Sequence, residues 1–164
     1  YYDFVQGNIH WFIVDGGYMS DRTTIDQADG IAFDSVQGES FKLKMALSTA
    51  RWKIVVVGFP PYASGVSGGY SVLRWPFATW GADLVMSGDL HVYERLTAPE
   101  GYPLIIGGWS GRSLDDFGAT SPYSVVRYNA QFGAIRLTSN CDELTVEAIN
   151  LAGTIVDTLT LEKA

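Results

Sequence analysis

The chain has 164 residues, of which 47% are hydrophobic and 18% are charged, and its formal net charge is −7. This apolar content excludes an intrinsically disordered chain and predicts one globular domain over residues 1–164. The acidic balance argues against sequence-independent binding of nucleic acid and against docking on an anionic membrane surface. The single cysteine, Cys141, excludes an internal disulfide framework, and we expect it to be buried or half-buried.

The N-terminal residues predict a β-hairpin. Residues 1–6 and 9–15 are rich in aromatic and β-branched side chains, and the turn-forming pair Gly7-Asn8 lies between them. The first residues have no basic region or cleavage site typical of a signal peptide, and they resemble the interior of a strand. We therefore expect a fragment, and its compartment stays undetermined. No apolar run approaches the roughly 20 residues of a transmembrane helix.

A helix is predicted after a polar, glycine-containing stretch that runs from Gly16 to about Asp34. The helix spans about residues 35–49, and either Asp34 or Ser35 is suited to cap it. Two pairs of apolar residues at i,i+4 spacing indicate neighbouring parts of one face: Phe41/Met45 and Leu43/Leu47.

Two short, continuous apolar runs predict strands that are covered on both faces, residues 52–57 and 82–87. A second helix is predicted between them over about residues 71–80, where Pro76 either breaks the helix or marks its start. Strands and helices that alternate in this way predict an α/β fold.

The pattern changes after His91, where strands follow one another. They are predicted at residues 102–106, 134–138, 143–150 and 154–161. Turn residues separate the last three, so the chain is expected to end in an antiparallel meander.

Two loops follow the apolar strands, after Val57 and after Ser87. In open α/β sheets, ligands bind at the edge formed by the carboxyl ends of the strands. Asp89 and His91 are two residues apart in the second loop, and in an extended segment their side chains would point to the same side. A carboxylate and an imidazole placed in this way could form half of a metal site, but the pair by itself favours a surface loop with a hydrogen-bonded histidine.

The second loop belongs to a longer motif. Gly88-Asp89-Leu90-His91-Val92-Tyr93-Glu94-Arg95 resembles the Gly-His-x-His-x-Tyr-Glu-Arg motif of purple acid phosphatases and related calcineurin-like metallophosphoesterases. The segment before it, over residues 74–88, is similar to the helix and strand that lead into this motif. Residues 52–65 resemble the family's strand and His-His-Pro-Pro-Tyr-Ser-Ser-Gly loop, and residues 107–114 resemble its Gly-Gly-Arg-Ser turn. Four matches in order, over about residues 50–155, are more specific than any one of them.

The resemblance implies a two-sheet α/β sandwich flanked by helices, of which these residues would form the C-terminal half. Members of the family are metal-dependent phosphatases, often secreted or periplasmic, that use two iron, zinc or manganese ions to activate a hydroxide and hold the phosphate. The motifs that the resemblance places in the N-terminal half are not present in this sequence.

Several metal-binding positions of the motifs are substituted. Gly58 stands where the resemblance implies a histidine ligand, and Phe59 stands where it implies a histidine near the substrate. Asp89 replaces the first histidine of Gly-His-x-His and can still coordinate a metal through oxygen. His91 alone matches its position as a ligand, so Asp89 and His91 are the candidate metal ligands.

Other conspicuous residues have structural interpretations. Tyr93, Glu94 and Arg95 are expected to hold the loop by hydrogen bonds and an ion pair. Arg112 is expected in a structural turn, although it could face a phosphate, and Trp109 is expected to belong to the core or to shape a pocket. His10, in the sequence Gly-Asn-Ile-His, is expected to be a strand side chain.

Two hypotheses about function follow. The first is a degenerate or truncated phosphoesterase that acts as a binding or structural unit, with no catalytic residues and no bound cofactor in the isolated chain. The second is a metal-dependent phosphoric ester hydrolase that a partner carrying the N-terminal half completes. Because a half sandwich exposes apolar surface, we expect either that partner or a homo-oligomer, most simply a two-fold dimer.

Overall fold

The computed structural model describes residues 1–19, 25–65 and 68–163. It contains twelve strands and two α-helices. The strands are β1 Tyr2–Gln6, β2 Ile9–Val14, β3 Tyr18–Met19, β4 Ile25–Asp26, β5 Trp52–Val57, β6 Leu84–Ser87, β7 Tyr93–Thr97, β8 Pro103–Gly107, β9 Ser124–Tyr128, β10 Gly133–Ser139, β11 Glu143–Asn150 and β12 Ile155–Glu162. The helices are α1 Val36–Leu47 and α2 Phe77–Trp80. No helix among these residues is long and apolar enough to cross a membrane.

A seven-stranded mixed sheet, in the order β1-β2-β5-β6-β8-β7-β9, forms the centre of the fold. The predicted hairpin of β1 and β2 is confirmed, with Gln6 opposite Ile9 and Gly7 in the left-handed region at φ 61°. β2, β5, β6 and β8 are parallel to one another. β5 and β6 are adjacent, and the Gly88 amide donates to the Gly58 carbonyl at 3.3 Å. The prediction that the two loops meet at one sheet edge is therefore confirmed.

Two apolar layers cover the two faces of this sheet. On one face, α1, α2 and their flanking loops pack against alternate residues of the parallel strands, such as Val55 and Val85. On the other face, the antiparallel sheet β10-β11-β12 packs against the remaining alternate residues, such as Ile54 and Leu84. The α/β class and the C-terminal meander are confirmed. The architecture is a two-sheet sandwich with helices outside.

The sequence did not predict β7 and β9. β7 contains the charged pair Glu94-Arg95, so its hydropathy pattern does not indicate a strand. In the structure β7 pairs antiparallel with both β8 and β9. The predicted second helix is interrupted, since a 3₁₀ turn at Ser71–Leu73 is separated from α2 by Pro76, which lacks the amide that a continuous helix needs. Cys141 is exposed, which contradicts the expectation of burial, because it lies in the turn between β10 and β11.

The helix α1 begins at the predicted cap. The Ser35 hydroxyl accepts a hydrogen bond from the Gly38 amide at 3.2 Å. The i,i+4 pair Phe41/Met45 is buried, but Leu43 and Leu47 are 60% and 72% exposed. Only one of the two predicted pairs is therefore buried, and α1 presents an apolar flank to solvent.

Substitution of Gly38, which lies inside α1, tests how closely the preceding loop packs against the helix. A Cβ atom at this position would lie 2.2 Å from the Phe33 carbonyl oxygen. We therefore expect Gly38→Ala to destabilise the protein by about 1–3 kcal/mol, although alanine favours a helix more than glycine does. Gly111→Ala is the matched control, because a Cβ there meets no atom within 4 Å. Urea unfolding measures both, and equal midpoints for the two variants would contradict the packing.

Candidate functional site

The loop after β5 carries Gly58 and Phe59, the two positions at which the resemblance implies histidines. Gly58 is exposed, and a Cβ atom built on it meets no other atom within 4 Å. The Phe59 ring is half-buried and lies 5.0 Å from the Tyr70 ring, centroid to centroid. It also fills the space beside Gly16, where a Cβ would come within 2.8 Å of it. The positions of the two expected histidines thus hold an open backbone and an apolar ring, neither of which can bind a metal.

Asp89 does not lie in an extended segment, so the geometric premise of the predicted pair is wrong. Its φ is 66°, which makes it the one non-glycine residue with positive φ among the described residues. Aspartate tolerates this left-handed conformation better than most residues. The exposed Asp89 carboxylate accepts a hydrogen bond of 3.1 Å from the Tyr70 hydroxyl.

The His91 side chain faces a residue that the sequence did not single out, Asp115. The Asp115 carboxylate accepts a hydrogen bond of 2.9 Å from the His91 amide, and the Asp115 amide donates to the His91 carbonyl at 3.1 Å. His91 Nδ1 lies 3.5 Å from the other carboxylate oxygen but forms no hydrogen bond and is buried. Asp115 follows the glycine-rich turn, and nothing in its local pattern predicts this long-range contact.

Taken together, these residues do not fit a dinuclear metal centre. Among residues 1–19, 25–65 and 68–163, no three His, Cys, Asp or Glu side chains are grouped so that they could hold a metal ion. A cavity of about 440 Å³ lies beside Gly58 and Phe59, where its walls include Tyr2, Ile13 and Val56. This edge of the sheet therefore offers an apolar recess and two separately engaged side chains.

The last three residues of the motif have well-defined contacts within the fold. Glu94 is 1% exposed and accepts hydrogen bonds from the Ser64 amide at 2.9 Å and from the Ser64 hydroxyl at 2.5 Å. The Ser64 hydroxyl also accepts a bond from the Ser121 amide at 2.9 Å. Glu94 thus fixes the loop that follows β5 and, through Ser64, the segment that leads into β9.

Tyr93 and Arg95 connect the two sheets through Asp157 of β12. The Arg95 guanidinium donates two hydrogen bonds to the Asp157 carboxylate, at 2.6 and 3.0 Å, and the Tyr93 hydroxyl donates a third at 2.7 Å. The Asp157 side chain is only 6% exposed. Burial raises the pKa of Asp157, but the bonds from Arg95 and Tyr93 outweigh burial, so that the pKa lies below its usual value. The pKa of Tyr93 is raised, mainly by burial and secondly by the hydrogen bond to Asp157.

The remaining predicted residues have other surroundings. Trp109 is fully buried and packs against Tyr93 and Tyr128, so it belongs to the core between the sheets. Arg112 is exposed in the turn after β8. His10 is a side chain of β2 and bonds to Ser48 Oγ at 2.8 Å and to Asp3 at 2.9 Å, which ties the hairpin to the end of α1.

Comparison with known proteins identifies the fold. No protein-family sequence profile and no curated protein sequence matches the chain. Among solved structures, a purple acid phosphatase, PPD1, from yellow lupin (Lupinus luteus) seeds superposes with a TM-score of 0.82 at 19% identity, over 98% of this chain and 32% of that one.

GAP50, described as the anchor in the inner membrane complex of Plasmodium, gives a TM-score of 0.68 at 17% identity, over 99% of this chain and 53% of that one. PhoD gives 0.59 at 13% identity, over 100% of this chain and 41% of that one. The chain has the calcineurin-like metallophosphoesterase fold. It spans only about a third to a half of the length of these structures.

Removal of the Glu94 carboxylate should loosen the loop after β5. Glu94→Ala leaves the buried Ser64 donors without their acceptor, so we expect a loss of about 2 kcal/mol or more in the free energy of unfolding. Glu94→Gln keeps one acceptor oxygen and should lose less, and Glu162→Ala, at an exposed position, should change stability by less than about 0.5 kcal/mol. Urea denaturation ranks the three variants. Equal stability of Glu94→Ala and Glu162→Ala would contradict the role of Glu94.

The contacts of Asp157 should make part of the stability depend on pH. Because the pKa of Asp157 is lower in the folded state, its contribution is complete above the ordinary carboxyl pKa of about 3.9 and is lost as the pH falls through the folded-state pKa. Asp157→Asn should therefore destabilise the protein at pH 7, and its deficit relative to wild type should shrink below about pH 4. Denaturant unfolding at a series of pH values measures this. A deficit that is independent of pH would contradict the proposed ionisation.

Proposed function

We propose that this chain is a non-catalytic phosphoesterase-fold unit that acts in binding or structure and has no phosphatase activity on its own. The observation that carries the proposal is the loop after β5, where Gly58 and Phe59 occupy the positions of two expected histidines. Truncation of a working enzyme would leave the histidines of this loop in place. Their replacement by an open backbone and a packed ring indicates that the loop itself no longer serves metal chemistry.

The chemistry of phosphoester hydrolysis supports the proposal. Two-metal hydrolysis needs ligands that fix both ions, a hydroxide made nucleophilic by metal, and positive charge near the phosphate. Asp89 and His91 are the two candidate ligands, but Asp89 is bonded to Tyr70 and His91 faces Asp115. Two such groups cannot fix the separation of two ions. The net charge of −7 also gives no attraction for a phosphate dianion.

A binding or structural role is compatible with this fold. GAP50, one of the structures that this chain resembles, is described as an anchor in a membrane complex. The apolar recess beside Gly58 and Phe59 is suited to contacts with apolar groups, and its volume of about 440 Å³ is within the range of small-molecule sites. These features favour recognition at this edge over hydrolysis.

The alternative is a metal-dependent phosphohydrolase that a separate chain or segment completes. One observation favours it: His91 Nδ1 is buried and has no hydrogen bond, which leaves an imidazole nitrogen available to a ligand. In that case the partner would bring the N-terminal motifs, and Asp89 and His91 would contribute to an iron, zinc or manganese site.

Hydrolysis of p-nitrophenyl phosphate tests the proposal. We expect no activity above the buffer blank for the isolated chain with added zinc, manganese or iron, because the two candidate ligands cannot form a dinuclear centre. Asp89→Ala and His91→Ala should behave as wild type does, and a known acid phosphatase serves as the positive control. If the chain hydrolyses the ester and either variant abolishes the reaction, the proposal is wrong and the metal-dependent alternative replaces it.

A further inference from the structure

The strand β1 is the edge of the seven-stranded sheet, and β2 is its one partner among the described residues. The Asn8 carbonyl accepts a hydrogen bond from the Trp52 amide of β5. The backbone N–H and C=O groups of the even-numbered residues in this part of β2 therefore point to β5, and those of the odd-numbered residues point to β1. The register places Phe4 opposite Trp11 and Gln6 opposite Ile9. Phe4 and Gln6 therefore bond to β2, whereas Asp3 and Val5 direct their amides and carbonyls to the free edge.

This edge exposes large apolar side chains, and Asp3 is the one charged residue on it. Tyr2, Phe4 and Val5 are 60%, 42% and 62% exposed. β1 contains no proline, no lysine and no bulge, which are the features by which natural edge strands avoid pairing with another chain. The rings of Tyr2, Phe4 and Trp11 stack in a row on one face, with 6.1 Å between successive centroids.

The other face of β1 continues into the exposed flank of α1. Asp3, which alternates with Phe4 and so lies on this face together with Val5, forms an ion pair with Lys44 of α1. Leu43, the residue before Lys44, and Leu47, three residues after it, are the exposed pair on α1. The exposed apolar surface therefore includes both the strand edge and the helix flank.

We propose that β1 pairs antiparallel with β1 of a second copy of this chain, so that one sheet continues through both copies. A two-fold axis at Phe4 places Asp3 opposite Val5 of the other copy, and these are the residues whose backbone groups point to the free edge. It also places Phe4 opposite its own counterpart as a non-hydrogen-bonded pair, in which facing side chains approach most closely. The edge is thus complementary to itself in both backbone and side chains.

The charges at this edge are consistent with a second copy as the partner. The Asp3 carboxylate, next to the two-fold axis, forms an ion pair with Lys44 and a hydrogen bond with His10 of its own chain. The two-fold axis therefore brings no unpaired like charges together. A strand edge of five residues is small compared with the roughly 1,000 Å² of a stable interface. The α1 flank, with Leu43 and Leu47, supplies further apolar area beside it.

Light scattering with size-exclusion chromatography tests the proposal at micromolar concentration. We expect the wild-type chain to be a dimer. Val5→Glu should be a monomer, because it places a carboxylate directly opposite Asp3 of the other copy, whereas Val125→Glu should remain a dimer. Val125 is the matched control, since it is 52% exposed on β9, at the opposite edge of the same sheet.

Val5→Pro tests the backbone directly. The Val5 amide does not bond to β2, so proline at this edge position should leave the folded chain intact while it removes two hydrogen bonds between the copies. We expect the dimer dissociation constant to rise by about tenfold or more, with an unchanged circular dichroism spectrum. A monomeric wild-type chain, or a dimer that survives both Val5 variants, would overturn the proposal. Neither result bears on the phosphatase assay, so the two proposals fail separately.

Discussion

The burial of β5 and β6 on both faces is the constraint on which the rest of this fold depends. Their alternate side chains pack on one side against the helices and on the other against the sheet of β10, β11 and β12. Because most side chains along these strands pack in one layer or the other, the register of the parallel pair is strongly specified. That register brings the loops after Val57 and Ser87 to the same edge, where the Gly88 amide bonds to Gly58. The place of the candidate site is therefore a consequence of core packing.

The polar residues of the motif have roles that do not depend on metal. Glu94 binds Ser64 within the core, and Arg95 and Tyr93 hold Asp157 between the two sheets. A buried carboxylate of this kind is tolerated only when hydrogen bonds and an opposite charge replace its hydration. These contacts involve neither Gly58 nor Asp89.

The sequence predicted the elements whose signal is local. The apolar runs of β5 and β6, the turn at Gly7-Asn8 and the Ser35 cap each lie within a few residues of the structure they specify. It did not predict β7, because the hydrogen-bond partners of Glu94 and Arg95 lie 30 and 62 positions away in the sequence. It likewise gave no sign that His91 faces Asp115 or that Leu43 is exposed, because both depend on which surfaces meet in three dimensions. The left-handed backbone conformation of Asp89 could not be predicted from the sequence for the same reason.

The number of metal ions that the chain retains tests the central claim most directly. The purified protein would be incubated with excess zinc or manganese and dialysed, and its metal content measured by mass spectrometry against protein concentration, with Asp89→Ala and His91→Ala as controls. The account predicts well under one ion per chain for all three proteins, because the described residues offer no group of three ligands. Two ions per wild-type chain, lost in either variant, would contradict it and would establish a metal centre at this edge of the sheet.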